Sequence, residues 1–279
     1  MSGPGSQTGM RRDHFAKLVS HWSHFGPPLR PSPFDTGVLR QVASGLPAAP
    51  RVVVLGLTPE TIGLSWPANT VLLALDHSTA MVGSLWPIAG APAQSGVALA
   101  EWLKMPLANA AADIVCADGC HTQLAYPRGY TMLSKEVYRV LKPAGRHVTR
   151  VFIRPDAPET MEAITEAMAR GAIGSVHALK LRLLAAVHGH SGIGSCLGDA
   201  WEAWRRLPAL PQGMAGKCGW TAEEVVGIEG YAGLATRYYL PTLDELRAIH
   251  GADFTEIECR FGDYELAERC PTLVLERRG

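Results

Sequence analysis

Four groups of residues in this chain have the types and spacing of ligand-binding chemistry. Gly56 closes the apolar run RVVVLG, and Thr58, Pro59 and Glu60 follow it. Asp76 closes a second run, TVLLALD, and is followed by His77 and Ser78. Glu101 and Trp102 end a third stretch, SGVALAEW, while Asp118, Gly119 and His121 come at and after the end of a fourth, ADIVCADG. A carboxylate in the position of Asp76 can accept two hydrogen bonds from a ribose diol. It could equally be a solvated acid or a helix N-cap. Asp118 and His121 are the residues best placed for proton transfer, although a histidine there is more often structural or solvent-facing. Thr58 is a good N-cap, Pro59 suits the first helical position and Glu60 the first turn, so a helix is expected to start sharply after Thr58.

These groups need a scaffold that brings strand ends together. The runs starting at Arg51, Thr70, Ser95 and Ala112 are short and largely apolar, as expected of parallel strands buried on both faces. GYTMLSKEVYRVLKPAG reads as a helix with Leu133, Val137, Val140 and Leu141 on one face and Pro143 with Gly145 as its stop. RHVTRVFIRP reads as a fifth strand. Strands separated by helical segments predict a Rossmann-like α/β fold, a doubly wound and mostly parallel sheet. In such a sheet ligands bind beyond the carboxyl ends of the strands, where the four groups would converge.

The alternation then breaks. Residues from Pro158 to about Val187 read as one long helix, with Met161, Ile164 and Met168 on its apolar side. GDAWEAWRRLP and TAEEVVGIEGYAGLATRYY read as further helices, without any strand signal. TLDELRAIH is expected to be a helix capped by Thr242 with Glu245 in a capping box. FTEIECRFGDYELAERCPTLVLERR predicts two strands joined by a loop, an antiparallel pair at the sheet edge that includes an antiparallel C-terminal strand. The expected domains are an N-terminal cap segment over 1–48, an α/β core over 49–155 plus 241–279, and a helical insertion over 156–240 between strands five and six. The cap segment should hold a helix carrying Phe15, Leu18, Val19 and Trp22, an extended path forced by prolines 27, 28, 31 and 33, and a second short helix. MSGPGSQTG reads as a flexible tail.

Composition narrows the class of function. The formal net charge is zero and no dense Lys/Arg run occurs, which argues against a nucleic-acid partner and an anionic membrane surface. No apolar run is long enough to span a bilayer and no N-terminal targeting signal is visible, so a cytoplasmic protein is expected. The six cysteines form no C-x-x-C pair and match no zinc spacing, which predicts reduced thiols. His188 and His190 lie two apart without an evident third ligand, so no metal site is expected.

ALDHSTAMV, EWLKMPLANAAADIVCADG and EVYRVLKPAG occur in the order and spacing of blocks found in class I S-adenosylmethionine-dependent methyltransferases, and Arg51 to Arg154 resembles that family. The resemblance implies S-adenosylmethionine as cofactor. It implies that Gly56 lets the backbone approach the cofactor, Asp76 binds the ribose, Glu101 lies near the adenine amino group and Trp102 walls the adenine. Asp118, with Gly119 behind it, would face the methyl group and the methionine part, and RVLKPAG would be structural. Two departures stand out: the family's acid two residues before the first glycine is Val54, and the second and third loop glycines are missing. A cofactor without phosphates relaxes the demand for glycine that a pyrophosphate imposes. The helix start after Thr58 would then meet the methionine carboxylate, and Arg30 is a candidate to fold over the same group.

The expected function is methyl transfer to a small-molecule acceptor by in-line displacement. Trp201, Trp204, Trp220, Tyr231, Tyr238 and Tyr239 of the insertion are candidates to line the acceptor pocket. The alternative is a non-catalytic S-adenosylmethionine-binding or scaffold protein, which the missing acid and glycines motivate. A nicotinamide dehydrogenase would suit Asp76 but lacks the G-x-G-x-x-G loop. A homodimer is left open.

Overall fold

The structure is a computed structural model that describes residue 19, residues 25–207 and residues 218–279, without the side chains of 222, 223 and 226. The expected first helix, with Phe15, Leu18 and Trp22, lies outside the described residues apart from Val19, as does the expected N-terminal tail.

A seven-stranded sheet organises the chain. Its strands are β1 (Arg51–Leu55), β2 (Val71–Asp76), β3 (Gln94–Leu99), β4 (Ala112–Asp118), β5 (Leu141–Arg150), β8 (Phe254–Arg260) and β9 (Thr272–Arg277). Their order across the sheet is β3-β2-β1-β4-β5-β9-β8. The first five pair in parallel, and β9 runs antiparallel between β5 and β8. The order reverses between β1 and β4, which makes the C-terminal ends of those strands the switch point.

Alternate residues of each strand point to opposite faces, and both faces are buried. Val53, Leu55, Leu75, Val115 and Ala117 face one core, shared with Tyr130, Leu133, Val137 and Val140 of α4 (Arg128–Val140) and with Leu246 of α9 (Leu243–His250). Val52, Val54, Leu72, Ala74, Ile114 and Cys116 face the other, where Val38 and Leu39 of α1 (Pro33–Ser44) and Met81 of α3 (Thr79–Leu85) cover them. The helix α1 starts at Ser32, whose hydroxyl accepts from the Asp35 amide while the Asp35 carboxylate accepts from the Ser32 amide, a reciprocal cap.

The helix α4 stops at Val140, earlier than Pro143 and Gly145 led one to expect. Leu141 is already its extended C-cap and pairs with Ala112 at the start of β5. The strand partner claims Leu141 before the proline is reached.

Between β5 and β8 the chain builds a third core. The one long helix expected from Pro158 to Val187 is two, α5 (Met161–Ala169) and α6 (Val176–Ala186). Gly171 ends the first in the left-handed region (φ 65°). The Ala172 amide donates to Ala167 and the Gly171 amide to Met168, the paired bonds of a Schellman stop. The helices α7 (Leu197–Arg205) and α8 (Ala222–Glu229) complete this layer. The segment after Glu229 is not helical. It turns and forms β7 (Arg237–Tyr238), paired antiparallel with β6 (Ser195–Cys196), a ribbon that gave no sequence signal because each strand has two residues. Thr242 caps α9 with Glu245 in the expected capping box.

Candidate functional site

The strand-end corners meet in a cavity of about 300 Å³. Gly56, Thr58, Asp76, His77 and Trp102 lie on its wall, and so do Asp118 and Gly119. Gly56 has φ 83° and its amide donates to the Leu75 carbonyl at 2.8 Å. A Cβ there would meet only ordinary contacts, Cys120 Sγ at 3.6 Å and Trp102 at 3.9 Å. The backbone conformation, rather than space, therefore selects glycine.

The helix after Thr58 is a single turn, α2 (Pro59–Ile62). Thr58 has the extended backbone of an N-cap, but its side chain makes no capping bond. The helix starts at Pro59, as expected, but one turn with a proline at its first position carries few aligned amides. Glu60 instead accepts from Arg30 Nε at 2.7 Å. Arg30 lines the cavity from the segment before α1.

Asp76 is buried at the end of β2, and its Oδ1 accepts from the Ser78 amide at 2.8 Å. Burial raises its pKa, against the backbone donors of Ser78, Leu57 and His77. Ser78 caps α3 through the Met81 amide and is absent from the cavity lining. Trp102 is held by a bond from its Nε1 to the Leu75 carbonyl at 2.7 Å, with the His77 ring edge-on at 5.1 Å. Glu101 is exposed at the start of the 3-10 turn Trp102–Lys104 and lies outside the cavity lining.

Asp118 is bound by a buried residue that sequence reasoning missed. Arg150 Nε donates to Asp118 Oδ1 at 2.6 Å, and its Nη1 donates to the Pro28 carbonyl at 2.6 Å. Burial pushes the Asp118 carboxyl up, against the pull of Arg150. Burial works against the guanidinium too, but Asp118 more than offsets this and holds it charged. One of the two Asp118 oxygens is thereby committed to Arg150.

His121 is the main correction. Gly119 (φ 64°) turns the chain into the 3-10 turn Cys120–Gln123, which puts Cys120, Thr122 and Gln123 on the cavity and His121 in the core. There His121 meets the rings of Tyr130 at 5.1 Å, His250 at 5.4 Å and His147 at 6.3 Å. Burial drives its pKa far down. It cannot reach a reactant in the cavity.

Of the aromatics expected to line a pocket, Tyr231 and Tyr238 do so. Trp204 and Trp220 are buried in the helical core, Trp201 packs against its edge and donates to Glu229 at 2.8 Å, and Tyr239 packs on the sheet side. Phe25, Phe152 and Lys180 also line the wall and were not foreseen. Lys180 had one signal, a charge in the middle of the apolar run VHALKLRLLAA, whose helix is buried nearly all round. His188 Nε2 accepts from the Leu240 amide at 3.1 Å, and among the described residues no group of three or more His, Cys, Asp or Glu side chains is placed to hold a metal ion. All six cysteines are free thiols. No helix among the described residues is long and apolar enough to cross a membrane.

No family model matches the chain, and no curated protein matches it in sequence. Solved structures do match. The 1,6-didemethyltoxoflavin-N1-methyltransferase of Burkholderia thailandensis, with 1,6-didemethyltoxoflavin and S-adenosylhomocysteine bound, has TM-score 0.56 at 12% identity over 100% of this chain and 92% of that one. The N-methyltransferase NodS of Bradyrhizobium japonicum WM9, in complex with S-adenosylhomocysteine, has TM-score 0.53 at 12% identity over 95% and 100%. This is the class I methyltransferase fold. A Rhodobacter sphaeroides structure described as a Zn-dependent alcohol dehydrogenase is similar as well, with TM-score 0.60 at 11% identity over 97% and 98%. At such identities each likeness is one of fold. Within the methyltransferase fold, the departure at Val54 has a plain cause. Its side chain is buried among apolar residues in the core under α1 and α3, where a carboxylate left unpaired would be costly.

Proposed function

We propose that the protein is an S-adenosylmethionine-dependent methyltransferase acting on a small molecule. The observation that carries this reading is the convergence of Gly56, Asp76, Trp102 and Asp118, from four separate strand ends, on one cavity at the switch point. The chemistry of the wall suits the cofactor. Asp76 offers a buried carboxylate to a ribose diol, and Trp102 an aromatic wall to an adenine. Gly56 offers bare backbone, and Arg30 a guanidinium for a carboxylate.

When bound, the cofactor would supply a methyl group on a sulfonium, open to in-line attack at carbon with the thioether as leaving group. The chain's own residues supply position. Asp76 and Trp102 anchor one end of the cavity, and residues 156–240 serve as the lid that presents Lys180, Tyr231 and Tyr238 to the acceptor. Holding acceptor and methyl donor in line supplies much of the rate. His121 takes no proton, because it faces the core. Asp118 shapes the site through its pair with Arg150 rather than acting as a base. Glu101, exposed outside the lining, is assigned no contact.

Binding without turnover is the second reading. The commitment of Asp118 to Arg150 and the single-turn helix after Thr58 favour it. Calorimetry with S-adenosylmethionine and S-adenosylhomocysteine, with NAD as control, tests both. Failure to bind either sulfur compound would sink both readings. Binding without product across a broad acceptor panel would select the second.

A further inference from the structure

Lys180 stands out among the cations of the cavity wall. It is 1% exposed, yet its side chain reaches the cavity from α6. Arg30 is paired with Glu60, and Arg150 with Asp118. Among the described residues no carboxylate lies within ion-pair distance of Lys180. Glu229, also on the wall, is engaged by the Trp201 indole at 2.8 Å. Lys180 Nζ lies 5.1 Å from the Phe25 ring centroid and 5.7 Å from that of Tyr231. It rests over Gly227, where an added Cβ would come within 2.9 Å of it, so the bare backbone makes room for the ammonium.

Two ring faces compensate a buried ammonium only partly. The consequence is a pKa that burial lowers to about 8. A charge left in this state is costly unless something of opposite sign arrives. An entering anion would meet it in a water-poor site, where charge-assisted hydrogen bonds are strong.

We infer that the acceptor is a small aromatic acid, its anionic group paired with Lys180 and its ring held among Phe25, Phe152, Tyr231 and Tyr238. This deepens the methyltransferase reading and rests on it. Lys180 meets Phe25, Tyr231 and Gly227 rather than the strand-end residues, which places its partner on the acceptor side of the cavity. The cofactor carboxylate has its own cation in Arg30, beside the loop after β1.

The test uses the full chain saturated with S-adenosylhomocysteine and titrated with benzoate and with its neutral isostere benzamide. Benzoate should bind about tenfold tighter or better, the range of a hydrogen bond to a charged group. Lys180→Met should erase that preference and keep the S-adenosylhomocysteine affinity within about twofold, while Lys180→Arg should retain the preference. Equal affinity for the two probes, no binding of benzoate, or a preference that survives Lys180→Met would overturn the inference. So would a loss of about tenfold in S-adenosylhomocysteine affinity in Lys180→Met, which would move Lys180 to the cofactor carboxylate. If Lys180→Met fails to fold, the wild-type probe pair and Lys180→Arg still decide. Failure of the wild-type protein to bind S-adenosylhomocysteine would instead count against the methyltransferase reading itself.

Discussion

Asp118 at the end of β4 and Arg150 at the end of β5 form a buried ion pair of 2.6 Å on the edge of the cavity. The same arginine holds the Pro28 carbonyl and lies 5.1 Å from the Phe152 ring centroid. One side chain thus ties two strand ends to the N-terminal segment that carries Arg30. Arg150→Met would leave the buried Asp118 carboxyl without its partner, and should cost about 3–5 kcal/mol of unfolding free energy in urea titration. Asp118→Asn with Arg150→Met should recover much of that loss. A double variant no more stable than Arg150→Met alone would show that the pairing is not what Arg150 supplies.

Asp76 is expected to carry cofactor affinity. Asp76→Ala should weaken S-adenosylhomocysteine binding by about 1–3 kcal/mol, or roughly five- to 150-fold, in calorimetry. Asp76 also orders the Ser78 amide, so the melting temperature should be followed in parallel. Unchanged affinity in a folded variant would refute the ribose assignment.

His121, His147 and His250 form a buried cluster next to Tyr130 and Phe254. Burial lowers all three, His147 to about 4 and His250 to about 3. Each must stay neutral in the folded protein, while the unfolded chain takes up protons below about pH 6.5. Their contribution is therefore present above pH 6.5 and is lost as the pH falls below it. Between pH 7 and 5.5 each should cost about 1 kcal/mol of stability. His250→Phe should flatten the pH dependence of chemical unfolding over that range. An unchanged slope would mean that the cluster does not stay neutral in the fold.

Ala144 occupies the left-handed region (φ 59°) within β5, in the irregular stretch between Leu141, which pairs with Ala112, and Arg146, which pairs with Ile114. A Cβ there costs about 1–2 kcal/mol, against a gain of about 0.4–1 kcal/mol from the stiffer unfolded chain. Ala144→Gly should raise stability by up to about 1 kcal/mol and leave cofactor affinity unchanged. A drop in melting temperature would contradict this.

What the sequence determined by itself was the frame. Apolar runs such as RVVVLG and ADIVCAD can only be strands buried on two faces, and the turn residues between them set the alternation. Strand ends then had to converge, so Gly56, Asp76, Trp102 and Asp118 could be named before any coordinates. Local signals also placed the Thr242 cap, because a capping box is complete within four residues. What the tertiary structure decided was the direction of side chains and the choice of distant partners. His121 and Thr122 are neighbours in one 3-10 turn, yet one faces the core and the other the cavity. Arg150 meets Asp118 across 32 positions of chain. Lys180 enters the cavity only because α6 is covered on nearly every side by its neighbours. Local sequence carries propensity and period. Which polar group is buried, and against what, depends on contacts made only when the whole chain has folded.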